Sequence, residues 1–128
     1  MPLLKFLHNF YRSLAILVLI LIASTLPSNE VEKITWFDVP NFDKLVHLGM
    51  YFSLAFVLIF DIMKAKPDVA YTRIFLLAAV LAVFYGGSLE ILQATLTDSR
   101  SGDFADLAFN ALGVLLAVLA WVVLKKLK

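Results

Sequence analysis

Cysteine is absent from this chain, which excludes a disulfide scaffold, a thiolate-bound metal and a thiol nucleophile, and leaves the redox compartment open. Charge is scarce as well: 16% of the residues are charged, against about 25% in an ordinary soluble domain. Basic and acidic side chains nearly cancel, and a net charge of +1 gives no bulk electrostatic reason to expect a nucleic-acid partner. There is no HExxH, no GxSxG elbow and no phosphate-binding glycine loop, so no recognised catalytic arrangement can be read from the residues. Repeats and low-complexity segments are missing too.

What fills the chain is apolar. Hydrophobic residues make up 62% of it and the mean hydropathy is +0.90, leaving too few polar residues to cover a water-soluble monomer and excluding disorder. A membrane is therefore the expected solvent. Four runs approach the length needed to cross about 30 Å of hydrocarbon as helices. The weakest is Ser13 to Leu26, which borrows Phe6, Leu7 and Phe10 and leaves Arg12 to snorkel toward the headgroups. Lys5, Arg12, Ala23 and Ser24 also fit a cleaved signal peptide, the competing reading of this segment. The other runs are Leu45 to Phe60, Ile74 to Leu92 and Phe104 to Leu124. They are joined by a loop over Pro27 to Asp43, a turn over Asp61 to Arg73 and a loop over Ala94 to Gly102. The expected fold is all-α, four transmembrane helices packed as a bundle, with residues 1–128 forming a single domain because no connection is long enough for a second core.

Short cytoplasmic loops collect Lys and Arg. Eight of the eleven basic residues (Lys5, Arg12, Lys64, Lys66, Arg73, Lys125, Lys126 and Lys128) fall on one side of these spans, while Lys33, Lys44 and Arg100 fall on the other. Both termini are thus expected to be cytoplasmic. Apart from Asp61 and Asp68, the acidic residues gather toward the opposite, outward side.

Polar groups inside apolar spans are expensive and tend either to pair with one another or to mark a site. Three of them converge in height. His47 lies roughly 20 Å above Phe60, Glu90 roughly 24 Å above Ile74 and Asn110 roughly 21 Å above Leu124 at ~1.5 Å per residue. Spacings of three and four put Asp43, His47 and Tyr51 on one helical face, Glu90 with Gln93 on another, and Asp103, Asp106, Asn110 and Gly113 on a third. Arg100 stands beside several carboxylates and is expected to pair with Glu90, with Asp106 or with a phosphate. The result is an expected polar pocket opening outward.

Plainer explanations compete at most of these positions. Asp43 and Asp103 fit helix caps, Gly86, Gly87 and Gly113 fit close packing, and Lys44 fits a solvated flank. His47 alone fits a satisfied interior histidine, Tyr85 and Trp121 fit packing or interfacial anchoring, and Glu90 fits a structural ion network.

Taken together, Asp43-Lys44-x-x-His47-x-x-x-Tyr51, Gly86-x-x-x-Glu90-x-x-Gln93 and Arg100-x-x-Asp103-x-x-Asp106-x-x-x-Asn110-x-x-Gly113 resemble the VanZ-like family of small bacterial membrane proteins. Ala117 stands where that family often has a second glycine. The resemblance implies a place in the bacterial cytoplasmic membrane and a role at the cell envelope, since the founding member is associated with low-level resistance to the glycopeptide antibiotic teicoplanin. It also implies that His47, Glu90, Gln93, Arg100, Asp106 and Asn110 form the family's common site.

Three functions follow as expectations. The first is a protein whose pocket, lined by Asp43, His47, Tyr51, Glu90, Gln93, Arg100, Asp103, Asp106 and Asn110, binds an anionic envelope lipid, a lipid-linked wall intermediate or a lipophilic glycopeptide. The second is a membrane-embedded hydrolase or transferase on an envelope lipid, with Glu90 or Asp106 as general acid or base and His47 assisting. The third, a transporter, is disfavoured because Phe52 to Phe60, Phe75 to Phe84 and Ala111 to Leu124 contain no ionisable group. No cofactor is expected; a divalent cation held by an Asp-Glu-His group is the alternative, without a ligand-spacing motif behind it. Membrane lipids are the expected partners, and the oligomeric state cannot be read.

Overall fold

The computed structural model describes residues 1–25, 42–96 and 104–127. They form four helices: α1 (Pro2–Thr25), α2 (Phe42–Ala65), α3 (Tyr71–Leu96) and α4 (Phe104–Lys126). Every one is long and apolar enough to cross a membrane, and they pack as a bundle without strands among the described residues. An even number of crossings returns the chain to the side on which it starts. At that shared end Arg12 meets Asp61 and Lys125 meets Tyr71, and it is called the basal end below.

The helices are longer than their apolar runs. α1 begins at Pro2, where a residue without an N–H costs the first turn nothing. α2 continues through Asp61 to Ala65, so the expected turn over Asp61 to Arg73 shrinks to residues 66–70, closed by Lys66 N donating to Ile62 O at 2.8 Å. Pro67 can neither donate to the preceding turn nor follow a helical residue easily, which accounts for the break there.

α2 and α4 make the most extensive contact, α3 packs on both, and α1 leans on α2 with only light contact to α3. In lipid there is little hydrophobic drive between helices, so close approach relies on small residues. A Cβ added at Gly113 would overlap the Leu48 carbonyl oxygen and sit 3.0 Å from Phe52 N. Lower in the same seam Ala55 and Ala117 are fully buried, so small side chains continue the close contact. Gly86 is tight but meets only side-chain atoms, at 3.0–3.3 Å from an added Cβ, whereas Gly87 has nothing within 4 Å and is not a packing position. Nearer the basal end, Trp121 stacks on Phe56 at 4.9 Å and donates Nε1–H to the Phe56 carbonyl at 2.9 Å.

α1 is mostly exposed and is held by polar clamps at three heights. At the basal end Asp61, fully buried, accepts from Ser13 Oγ at 2.8 Å, Ser13 N at 3.1 Å and Arg12 Nη1 at 3.3 Å. Midway, Tyr85 Oη donates to Leu17 O at 2.6 Å. At the far end Gln93 Nε2 donates to Ser24 O at 2.7 Å. Arg12 therefore turns toward a carboxylate, with its guanidinium over the rings of Tyr11 and Phe60, instead of extending toward headgroups. A buried anion in a low-dielectric setting binds it more strongly than a hydrated surface does. Below the Tyr85 clamp, an apolar groove of about 420 Å³ is bounded by Leu14 and Leu17 of α1, Leu58 of α2 and Leu81 of α3.

Candidate functional site

The site lies at the end of the bundle opposite the Arg12–Asp61 pair. His47 stands on α2, one turn after Asp43 and one turn before Tyr51, so all three share a face. Asn110 stands one turn after Asp106 on α4, and Glu90 one turn after Gly86 on α3. The tight α2–α4 seam at Gly113 fixes the two halves: His47 Nδ1 lies 3.0 Å from Asn110 Oδ1, with the histidine 5% and the asparagine 1% exposed. An amide oxygen can only accept, so the ring donates Nδ1–H; in the neutral imidazole the lone pair is then on Nε2. That second nitrogen lies 3.9 Å from Asp106 Oδ2.

Glu90 completes the group. One potential ligand atom each from His47, Glu90 and Asp106 lies within 4.8 Å of the others, on three different helices. Two carboxylates this close repel when both are ionised, and a proton or a cation between them relieves the repulsion. Asp106 also sits in the first turn of α4, where the helix dipole favours its charge.

Lys44 forms part of the rim. Its Nζ lies 3.9 Å from Asp106 Oδ1 and 3.7 Å from Asp43 Oδ2, and its side chain is only 18% exposed. This replaces the solvated flank expected from sequence. The signal was present in the spacing, since Lys44, His47 and Tyr51 fall at i, i+3 and i+7 on one face. Asp43 is more open, at 56% exposure, in the first turn of α2.

Tyr51 is buried with its ring against Gly86. A Cβ at Gly86 would sit 3.0 Å from Tyr51 Cε1 and 3.1 Å from Asn110 Nδ2, so a side chain there requires both to give by a few tenths of an ångström. Asn110 Nδ2 is buried with no hydrogen-bond partner among the described residues. Gln93 is drawn to α1 by its bond to Ser24 O, on the α1-facing side of α3. Arg100 and Asp103 lie outside the described residues. Of the expected site, the structure thus brings together His47, Glu90, Asp106 and Asn110, with Tyr51 packed beneath, Gln93 engaged with α1 and Asp43 more exposed beside Lys44. Sequence reasoning missed the role of Asp61, whose position at the end of an apolar run looked like the start of a loop.

A family model described as VanZ/LLP1 matches residues 2–125, nearly the whole chain. Comparison with curated proteins and with solved structures returns no match. The chain belongs to the VanZ/LLP1 family, and with four apolar helices it is a multi-pass membrane protein.

Proposed function

We propose that this VanZ/LLP1 protein acts in the bacterial cytoplasmic membrane, where its polar pocket faces outward and binds an amphiphile with an anionic head and an apolar tail. An anionic envelope lipid, a lipid-linked wall intermediate and a lipophilic glycopeptide share that chemistry. The observation that carries this reading is the buried 3.0 Å bond between His47 and Asn110, with Glu90 and Asp106 gathered beside it. Such a group is costly in an apolar span and is held in register by a seam that tolerates no side chain at Gly113. Lys44 supplies a cation at the rim, and the neutral amide of Asn110 supplies an unused donor for an oxygen of the head.

The test is teicoplanin susceptibility of a sensitive bacterium expressing either the natural chain or its Glu90→Gln variant at matched membrane levels. Protection by the natural chain alone supports an envelope role through the pocket. Equal susceptibility of both strains and the empty host removes the glycopeptide branch, and native mass spectrometry of co-purified lipids then decides between the two lipid branches.

A second reading, a hydrolase or transferase on an envelope lipid, draws support from the same imidazole. With Nδ1–H donated to Asn110, Nε2 is free to take a proton, and Asp106 is near enough to orient the imidazolium. Turnover of any lipid in a broad panel by the purified protein, lost in His47→Gln, favours this reading over binding alone.

A further inference from the structure

The side chains of His47, Glu90 and Asp106 converge at this end of the bundle, with Lys44 beside Asp106. Three features point to a cation held among them. First, the ligand atoms of His47, Glu90 and Asp106 come from three helices and lie within 4.8 Å of one another, so the backbone, not a flexible loop, sets their spacing. Second, one ion at about 2.0–2.2 Å from each ligand in a tetrahedral arrangement needs ligand atoms about 3.3–3.6 Å apart, so the 3.9 Å between His47 Nε2 and Asp106 Oδ2 closes with about half an ångström of side-chain movement, and a separation of up to 4.8 Å with about 1.2–1.5 Å shared between two side chains. Third, the His47 ring is held by its bond to the buried Asn110 amide oxygen, which fixes the ring plane and places Nε2, the nitrogen a metal binds in the neutral ring, 3.9 Å from Asp106 Oδ2.

We propose that His47, Glu90 and Asp106 bind one divalent ion of the zinc or manganese type. A nitrogen ligand with two carboxylates suits these ions better than magnesium or calcium, which favour all-oxygen shells. Two carboxylates and a neutral imidazole balance the ion's charge, and three protein ligands leave a coordination position open. A phosphate oxygen of a headgroup fits that position, with Asn110 Nδ2 as a buried donor on the side chain that orients the ring. This bridging role rests on the pocket reading above; the binding of the ion does not.

The experiment uses the full-length protein in detergent, stripped with chelator, titrated with Zn²⁺ by calorimetry and with Co²⁺ by visible absorption. One ion per chain is expected, with cobalt bands of a low-coordinate site. Glu90→Gln and Asp106→Asn, both close in shape to the natural residues, are expected to weaken binding about tenfold or more, and Asn110→Ala by about 10–100-fold through loss of ring orientation. Asp68→Asn, at the basal turn, leaves binding unchanged. Helical circular dichroism and a single chromatographic peak confirm that each variant is folded. Failure of the natural chain to bind either ion, or equal affinity in the natural chain and a folded Glu90→Gln/Asp106→Asn double variant, overturns the ion site. Retained ion binding with no effect of Zn²⁺ on the lipids captured by the protein overturns the bridging role and leaves the ion site standing.

Discussion

Gln93 Nε2 lies 2.7 Å from the carbonyl oxygen of Ser24, one residue before the end of α1. The last four carbonyls of a helix have no partner within it, and water is not at hand near the edge of a bilayer core. Gln93 thus serves as a cap supplied by another helix. Replacing it with leucine should lower unfolding stability in detergent by about 1 kcal/mol and release the upper half of α1. Cross-linking between cysteines placed at Ala23 and Leu92 should fall in this background; unchanged cross-linking and stability would show that the cap is incidental.

The basal clamp should behave differently from a surface ion pair. Arg12→Met leaves the fully buried Asp61 with only its Ser13 bonds, and a loss of about 2 to 3 kcal/mol is expected, below the range for fully buried pairs because Arg12 is partly exposed. The double variant Arg12→Met/Asp61→Leu should recover most of that loss, because it removes both charges. A double variant as unstable as the single one would contradict this account.

Glycine substitutions separate packing from mere composition. Gly113→Ala drives a methyl into the Leu48 carbonyl and should cost more than about 2 kcal/mol, or prevent stable folding, because backbone cannot yield as a side chain does. Gly87→Ala meets nothing and should be neutral or stabilising by up to about 1 kcal/mol through helix propensity. Thermal unfolding of the pair in detergent checks both; similar losses would be inconsistent with the close α2–α4 seam.

The natural absence of cysteine makes topology directly measurable. The proposed outward-facing pocket requires both termini to be cytoplasmic, so Asp43→Cys should react with an impermeant thiol reagent in intact cells, and Asp68→Cys only after the membrane is opened. The reverse pattern would place the pocket on the cytoplasmic side and remove the outward-facing part of the proposed function.

Much of the architecture was legible because its causes are local. Run length and hydropathy identify the four helices, and a rise of about 1.5 Å per residue already placed His47, Glu90 and Asn110 at one depth. The same counting stopped α2 too early at Phe60, since Asp61 resembles a loop residue when its partners, Arg12 and Ser13, are some fifty positions away. Lys44 resembled a flank for a similar reason: what shelters it is Asp106 of α4, not its own helix.

By itself the sequence determined that the chain spans a membrane, how often it crosses, which residues share a helical face and which polar groups share a height. These follow from composition and from the fixed pitch of a helix. Only the tertiary structure decided which faces meet: that Gly113 admits the Leu48 backbone, that His47 joins Asn110 and faces Asp106, that Gln93 caps α1, and that Asp61 is buried. Rotation of each helix about its axis leaves its depth profile unchanged, so depth can be counted along a chain, while the choice of partner depends on backbone approach between segments distant in sequence.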